Sequence, residues 1–142
     1  MIVVDTNILA YALSGDHPLR DVCRQLVDAV GDGAVDATTT VEVIQELVHV
    51  RSRRTGRPDA IEQGRQAQRL LGPLLQPTEE DLTSGLELFA DHKLGCFDTV
   101  LAATALREDA ALVSADGAFA DVDGLRYLDP ASPSFFADLG LA

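Results

Sequence analysis

Met1-Ile2-Val3-Val4-Asp5-Thr6-Asn7-Ile8-Leu9 opens the chain, and its reading decides the fold. Ile2, Val3 and Val4 are consecutive, apolar and β-branched. Such a run reads as a strand buried on both faces, as in a parallel sheet. Asp5 ends the run. Asn7 suits the cap of a following helix whose apolar positions are Ile8, Leu9, Tyr11, Ala12 and Leu13. A carboxylate therefore stands where a strand hands over to a helix, the place where ligands and chemistry collect in open α/β sheets.

Outward from that stretch, helical and strand patterns alternate. After Pro18, apolar residues recur at Leu19, Val22, Cys23, Leu26, Val27 and Val30, and Gly31 and Gly33 end the helix. Ala34 to Ala37 is a candidate strand. Thr38-Thr39-Thr40 opens a helix to about Arg53. Thr55-Gly56-Arg57-Pro58 reads as a loop, followed by a helix from about Asp59 to Leu71. Leu74-Leu75 suggests a very short strand. Thr78 caps a helix rich in early acids, Glu79, Glu80 and Asp81, that runs to about His92. Lys93 to Phe97 links to a small-residue helix from Asp98 to about Glu108. Ala110–Val113 and Leu125–Leu128 are the last strands, and Phe135-Phe136 anchors the tail. This alternation implies one α/β domain over residues 1–142, with three layers and a mostly parallel central sheet flanked by helices.

Composition narrows the class. Apolar residues make up 46% of the 142 residues and aromatics only 5%, so the core is aliphatic and Ala-rich. No run approaches the roughly 18 apolar residues of a membrane span. The first strand begins at once, with no basic leader, so a cytoplasmic protein is expected. Cys23 and Cys96 are expected as two reduced, buried thiols. The formal charge is −12, the wrong overall sign for a nucleic-acid binder. Its distribution matters more than its sum. Six of the eleven cationic residues, Arg51, Arg53, Arg54, Arg57, Arg65 and Arg69, lie in one stretch, and the rest of the chain is strongly acidic.

Three further acids share the logic of Asp5. Asp116 follows the apolar run Ala111-Leu112-Val113, and a parallel, central arrangement would put both acids on one rim; alone, Asp116 is also an ordinary turn residue before Gly117. Asp98 stands at a helix start, where an Asp is often only a cap, but the helix it opens is almost all small or apolar. Between Glu42 and Glu46, Thr39 and Glu42 match a capping box, which gives Glu42 a structural task. With Val43, Ile44, Leu47, Val48 and Val50 as the buried arc of a helical wheel, Glu46 falls at its margin and so suits a pocket.

Four carboxylates do not crowd together unpaired, because like charges raise one another's pKa or push apart. A hard divalent cation such as Mg²⁺ relieves this, and it activates water against a phosphodiester. Rival chemistries lack their residues. His17, His49 and His92 are scattered, with no pair at zinc spacing. No Gly-rich phosphate loop and no nucleophile elbow is present.

VVDTNIL, the acid in TVEVIQEL, CFDTVLAATAL, and LVSADGAF followed by GLRYLDP together resemble the PIN-domain nucleases, and most closely the VapC-type toxins of bacterial toxin–antitoxin pairs. The likeness covers nearly the whole chain. It implies an acidic quartet of Asp5, Glu46, Asp98 and Asp116, with Mg²⁺ or Mn²⁺ held by Asp5, Asp98 and Asp116. Thr6, Asn7 and Ser114 match the family's supporting residues. It implies endonucleolytic cleavage of RNA by metal-activated water, a homodimer, and a small cognate antitoxin whose tail enters the acidic groove. The heavy negative charge sits less easily with RNA, so phosphate contacts are expected from Arg51, Arg53, Arg54 and Arg57.

A PIN nuclease of RNA maturation would show the same motifs. A receiver-type signalling domain would need a pair of acids after the first strand and a Lys after a late one. A dehalogenase-type phosphatase would need an Asp at position 7, where this chain has Asn7.

Overall fold

Ile2–Val4 forms the buried strand its side chains dictate, β1, and Ala111–Val113 forms its neighbour, β3. The computed structural model describes residues 1–141. With β2 (Ala37–Thr38) and β4 (Tyr127–Leu128) they make a four-stranded sheet of order β2-β1-β3-β4. Every pairing is parallel, with Val3 opposite Thr38, Val4 opposite Val113, and Val113 opposite Leu128. The expected strand at 34–37 is shorter and starts three residues later, at Ala37–Thr38. Leu74-Leu75 contributes only a single bridge, between Leu75 and Thr40.

From β1 the chain moves to β2 on one side, then returns across β1 to β3 on the other. Right-handed crossovers put these two connections on opposite faces of the sheet. The strand order therefore reverses between the carboxyl ends of β1 and β3, which opens a crevice there.

The helices are α1 (Thr6–Leu13), α2 (Arg20–Gly31), α3 (Val41–Thr55), α4 (Arg57–Leu71), α5 (Glu79–Asp91), α6 (Cys96–Arg107) and the short α7 (Phe135–Asp138). Several start where their caps dictate, and three caps differ from expectation. Asp5, not Asn7, caps α1, accepting from the Thr6 N–H. Thr40, not Thr39, caps α3, accepting from the Val43 N–H, so Glu42 closes no capping box. Thr39 is turned away by a stronger claim, donating to the Val4 carbonyl at 2.6 Å. Gly95 caps α6, which leaves Asp98 as its third residue. The expected loop at 55–58 shrinks to Gly56, whose φ of +85° turns α3 directly into α4.

Close helix packing uses the small residues. A Cβ on Gly64 would lie 2.4 Å from Val48, so α4 crosses α3 at that glycine. A Cβ on Gly85 would lie 3.0 Å from the Val100 backbone, so α5 crosses α6 there. These contacts set the distance of α3 and α6, the carriers of Glu46 and Asp98, from their neighbours. The core is aliphatic around Val3, Ile8, Leu47, Leu112 and Val113, with Phe119 and Phe135 as its largest members, the latter docking the tail. Cys23 is buried; Cys96 is only half-buried, against the expectation of two buried thiols, and both are free. Among the described residues no helix is long and apolar enough to cross a membrane.

Candidate active site

Asp5 is built into the crevice by three contacts. Its backbone N–H continues the β1–β3 ladder to the Val113 carbonyl at 3.0 Å. One carboxylate oxygen caps α1 through the Thr6 N–H at 2.7 Å. The other accepts from Ser114 Oγ at 2.7 Å and Asn7 Nδ2 at 3.2 Å. Because α1 starts at Thr6, Asn7 lies in its first turn and reaches across to β3. Its amide donates to Ser114 Oγ at 3.1 Å, and its Oδ1 accepts from the Ala115 N–H at 3.1 Å. Ser114, fully buried, also accepts from the Asp116 N–H at 3.0 Å. Thr6, Asn7 and Ser114 thus tie the ends of β1 and β3 together around Asp5.

Glu46 reaches the same place from α3. Thr6 Oγ1 donates to Glu46 Oε2 at 2.8 Å across 40 residues of sequence. Asp116 caps a 3₁₀ turn, Gly117–Asp121, by accepting from the Ala118 N–H, so its turn role and its position on the rim coexist. Asp98 is half-buried in the first turn of α6. Asp5, Glu46, Asp98 and Asp116 all line one cleft of about 300 Å³, together with Thr6, Asn7, Ala10, Tyr11 and Val50. No Lys or Arg lines it.

The electrostatics follow from that composition. Burial pushes the Asp5 carboxyl above its usual range, against the Ser114 and Thr6 hydrogen bonds, and the Glu46 and Asp116 charges push the same way. Asp98 is pushed up to about 6, by burial first and then by the charges of Asp5, Glu46 and Asp116. Four negative groups therefore sense one another without an internal counter-charge.

The donor set consists of oxygens throughout and suits a hard cation. Among the described residues no three His, Cys, Asp or Glu side chains already converge at ligating distance. A Mg²⁺ site does not require that, since it is commonly held by one or two carboxylates and completed by water.

Arg51 does not belong with the other arginines. It is 7% exposed and donates through Nε to Gln63 Oε1 at 3.0 Å, bracing α3 against α4. Its place four residues after Leu47, itself four after Val43, is the signal that puts it on the buried face. Arg53, Arg54 and Arg57 are exposed at the α3–α4 turn and make no ion pair among the described residues. Two residues escape the sequence reading. Val50, expected in the buried arc, is exposed and lines the cleft. Tyr127 donates to the Ser114 carbonyl at 2.9 Å, and its phenol, pushed up to about 12 by burial and then by Asp129, Asp116 and Asp5, keeps that proton. Its signal is the tyrosine of GLRYLDP.

A wider groove of about 1000 Å³ adjoins the acids between α3, α5 and α6. It is lined by Val43, Val48, Leu82, Phe97, Val100 and Leu101, with Asp5, Glu46 and Asp98 at one side.

A parallel sheet with carboxylates at its switch point defines an α/β fold with an acidic cleft, and comparison with known proteins supplies the family. Residues 2–125 match the PIN domain. Ribonuclease VapC7 of Mycobacterium tuberculosis is 46% identical over 146 residues, spanning 99% of each chain. The chain belongs to the PIN-domain family and is of the VapC type. Among solved structures, FitAcB from Neisseria gonorrhoeae has a TM-score of 0.72 at 16% identity, covering 92% of this chain and 98% of that one. VapC20 of M. tuberculosis, a sarcin-ricin loop cleaving toxin, has a TM-score of 0.70 at 16% identity, covering 89% and 98%. VapBC2 from Rickettsia felis, bound to a DNA fragment from its promoter, has a TM-score of 0.70 at 20% identity, covering 91% and 98%. At those identities the likeness is one of fold.

Proposed function

We propose that this protein is a Mg²⁺- or Mn²⁺-dependent endoribonuclease, acting in the cytoplasm as the toxin of a toxin–antitoxin pair. One observation carries the reading: four carboxylates from four separate segments line one cleft that no side-chain cation enters. The full-length likeness to a named ribonuclease supports RNA as the substrate.

Asp5, Asp98 and Asp116 are the residues that would hold the metal. When bound, a divalent cation supplies an activated water and offsets charge on the phosphate. The protein's own groups prepare the site. Ser114, Asn7 and the Thr6 N–H hold both oxygens of Asp5, so the carboxylate is oriented before any ligand arrives. Thr6 fixes Glu46 through Oε2 and leaves Oε1 without a partner among the described residues, available to take a proton from water.

Arg53 stands two helical turns from Glu46 on α3, roughly 10 Å along the axis and on nearly the same side. With Arg54 and Arg57 it forms the phosphate-binding end of the RNA path; Arg51 is excluded by its burial. The apolar groove beside the acids fits a segment of the cognate antitoxin that carries apolar anchors and a cation. The solved VapBC structures support such a partner. The homodimer is supported by Leu86 and Phe89, exposed one turn apart on α5, and light scattering tests it.

The deciding experiment is cleavage of a mixed RNA pool with Mg²⁺ or Mn²⁺ by the wild type, Asp5→Asn and Asp98→Asn. Metal-dependent cleavage lost in both variants is expected. No cleavage by the wild type, or equal cleavage by the variants, overturns the mechanism.

A further inference from the structure

The acidic cleft has a second, unlike lining. Besides its acids and the Thr6–Asn7 pair, it is bounded by Ala10, Tyr11 and Val50. Val50 follows Glu46 by one turn of α3 and stays exposed, although it is apolar. Tyr11 is half-buried, and its hydroxyl makes no hydrogen bond to the protein among the described residues. Its ring is stacked on His17, with centroids 3.6 Å apart and planes 13° from parallel. His17 is held in turn by the Leu19 N–H, which donates to its Nδ1 at 3.1 Å. The Tyr11 ring is therefore fixed in orientation beside the carboxylates, backed on one face by a second ring.

A metal-and-phosphate site has no use for an aromatic ring and two apolar side chains. A nucleotide does, since its phosphate and its base need opposite surroundings. We propose that Ala10, Tyr11 and Val50 form a nucleobase subsite, in which an unpaired base next to the scissile phosphate stacks on the Tyr11 ring. This rests on the ribonuclease reading above. Stacking tolerates every base, because each has a π-face, so the subsite selects unpaired over paired RNA and imposes little sequence preference. A cleft of about 300 Å³ takes one nucleotide and no duplex.

The test uses a 12-nucleotide single-stranded RNA, with its wild-type cut mapped, and a matched strand lacking the base beside that cut. Tyr11→Phe keeps the ring, and Tyr11→Leu keeps apolar packing without it. On the intact strand Tyr11→Leu loses about tenfold in kcat/KM, mostly in KM, and Tyr11→Phe stays near wild type. On the strand lacking the base the wild type falls to the Tyr11→Leu level, and the substitution costs nothing more. Equal loss by Tyr11→Leu on both strands, no loss at all, or a loss by Tyr11→Phe as large as by Tyr11→Leu, overturns the subsite. A second readout does not need cleavage: RNA carrying 2-aminopurine is titrated with Asp98→Asn protein. Quenching that survives Tyr11→Phe and disappears in Tyr11→Leu supports the stack, and quenching unchanged by Tyr11→Leu overturns it. A wild type that cuts nothing fails the ribonuclease reading alone and leaves this readout standing.

Discussion

Asp81 and Asp98 occupy the same position in their helices, the third residue of α5 and of α6, and they are opposites. Asp81 is buried and fully answered. It accepts from the Thr78 N–H at 2.9 Å, from Thr104 Oγ1 at 3.3 Å and from Arg107 Nε at 2.9 and 3.0 Å. Burial pushes its carboxyl up, but Arg107, the Thr78 N–H and Thr104 outweigh it and hold it below its usual range. Asp98 accepts no hydrogen bond from the protein among the described residues. Its charged neighbours are Asp5, Glu46 and Asp116, and its carboxyl is pushed up to about 6. A carboxylate that is answered joins two helices. One left unanswered among like charges is a candidate to hold a cation.

The largest expected effect separates the two by activity. Asp98→Asn is expected to lower RNA cleavage by at least about 10³-fold, because on the proposed reading it removes a carboxylate that would hold the metal. In EDTA the same substitution leaves the melting temperature unchanged or raises it, since it relieves repulsion and breaks no internal hydrogen bond. A melting temperature lowered by several degrees would break the comparison.

Asp81→Ala is expected to do the reverse. It opens the Thr78 capping box and strips partners from Arg107 and Thr104, at a cost of about 2 kcal/mol in urea unfolding. Cleavage per folded molecule stays at the wild-type level. A loss of turnover without a loss of stability would place Asp81 in the site.

The pH dependences have opposite signs. A carboxyl whose folded pKa is raised binds its proton more tightly in the folded state. The stability it contributes is present below the ordinary value of 3.8 and is lost as pH rises through about 6. In EDTA the wild type therefore loses stability relative to Asp98→Asn between pH 4 and pH 7, with Asp5 shifting in the same direction. The Asp81 contribution is present above 3.8 and is lost as pH falls below it. Paired urea titrations at pH 3, 4, 5.5 and 7 read the difference, and a flat wild-type-minus-Asp98→Asn curve would remove the repulsion argument.

The smallest effect concerns cation supplied from outside the cleft. Neutralising Arg53, Arg54 and Arg57 together in the Asp98→Asn background should flatten the salt dependence of single-stranded RNA binding by up to about 2 in log–log slope. An unchanged slope takes these arginines off the RNA path.

Residues whose fate is local were readable in advance. Ile2–Val4 and Ala111–Val113 are short continuous apolar runs, which suit a strand covered on both faces. The Thr78 cap follows from a side chain and an N–H three residues apart. Where several neighbours are chemically equivalent, the sequence misplaces the choice by a residue or two. Thr38, Thr39 and Thr40 are all competent caps, and Thr39 is withdrawn by a carbonyl on β1, 35 residues away. Asn7 is a competent cap too, but the helix starts earlier because Asp5 takes the Thr6 N–H. Arg51 looks like its neighbours by charge, and only its spacing from Leu47 gives it away.

By itself the sequence determined the two central strands, the alternation that makes the sheet parallel, and the acids that follow those strands. Those follow from periodicity and from hydrogen bonds between residues a few positions apart. Tertiary structure decided which acids meet, which arginine is buried, and that Val50 and Tyr11 face the cleft. It also decided that Asp81 has a cation for a partner and Asp98 has none. A carboxylate's charge state and use depend on what lies within a few ångströms, and for Asp98 those neighbours come from β1, α3 and the end of β3, brought together only by the fold.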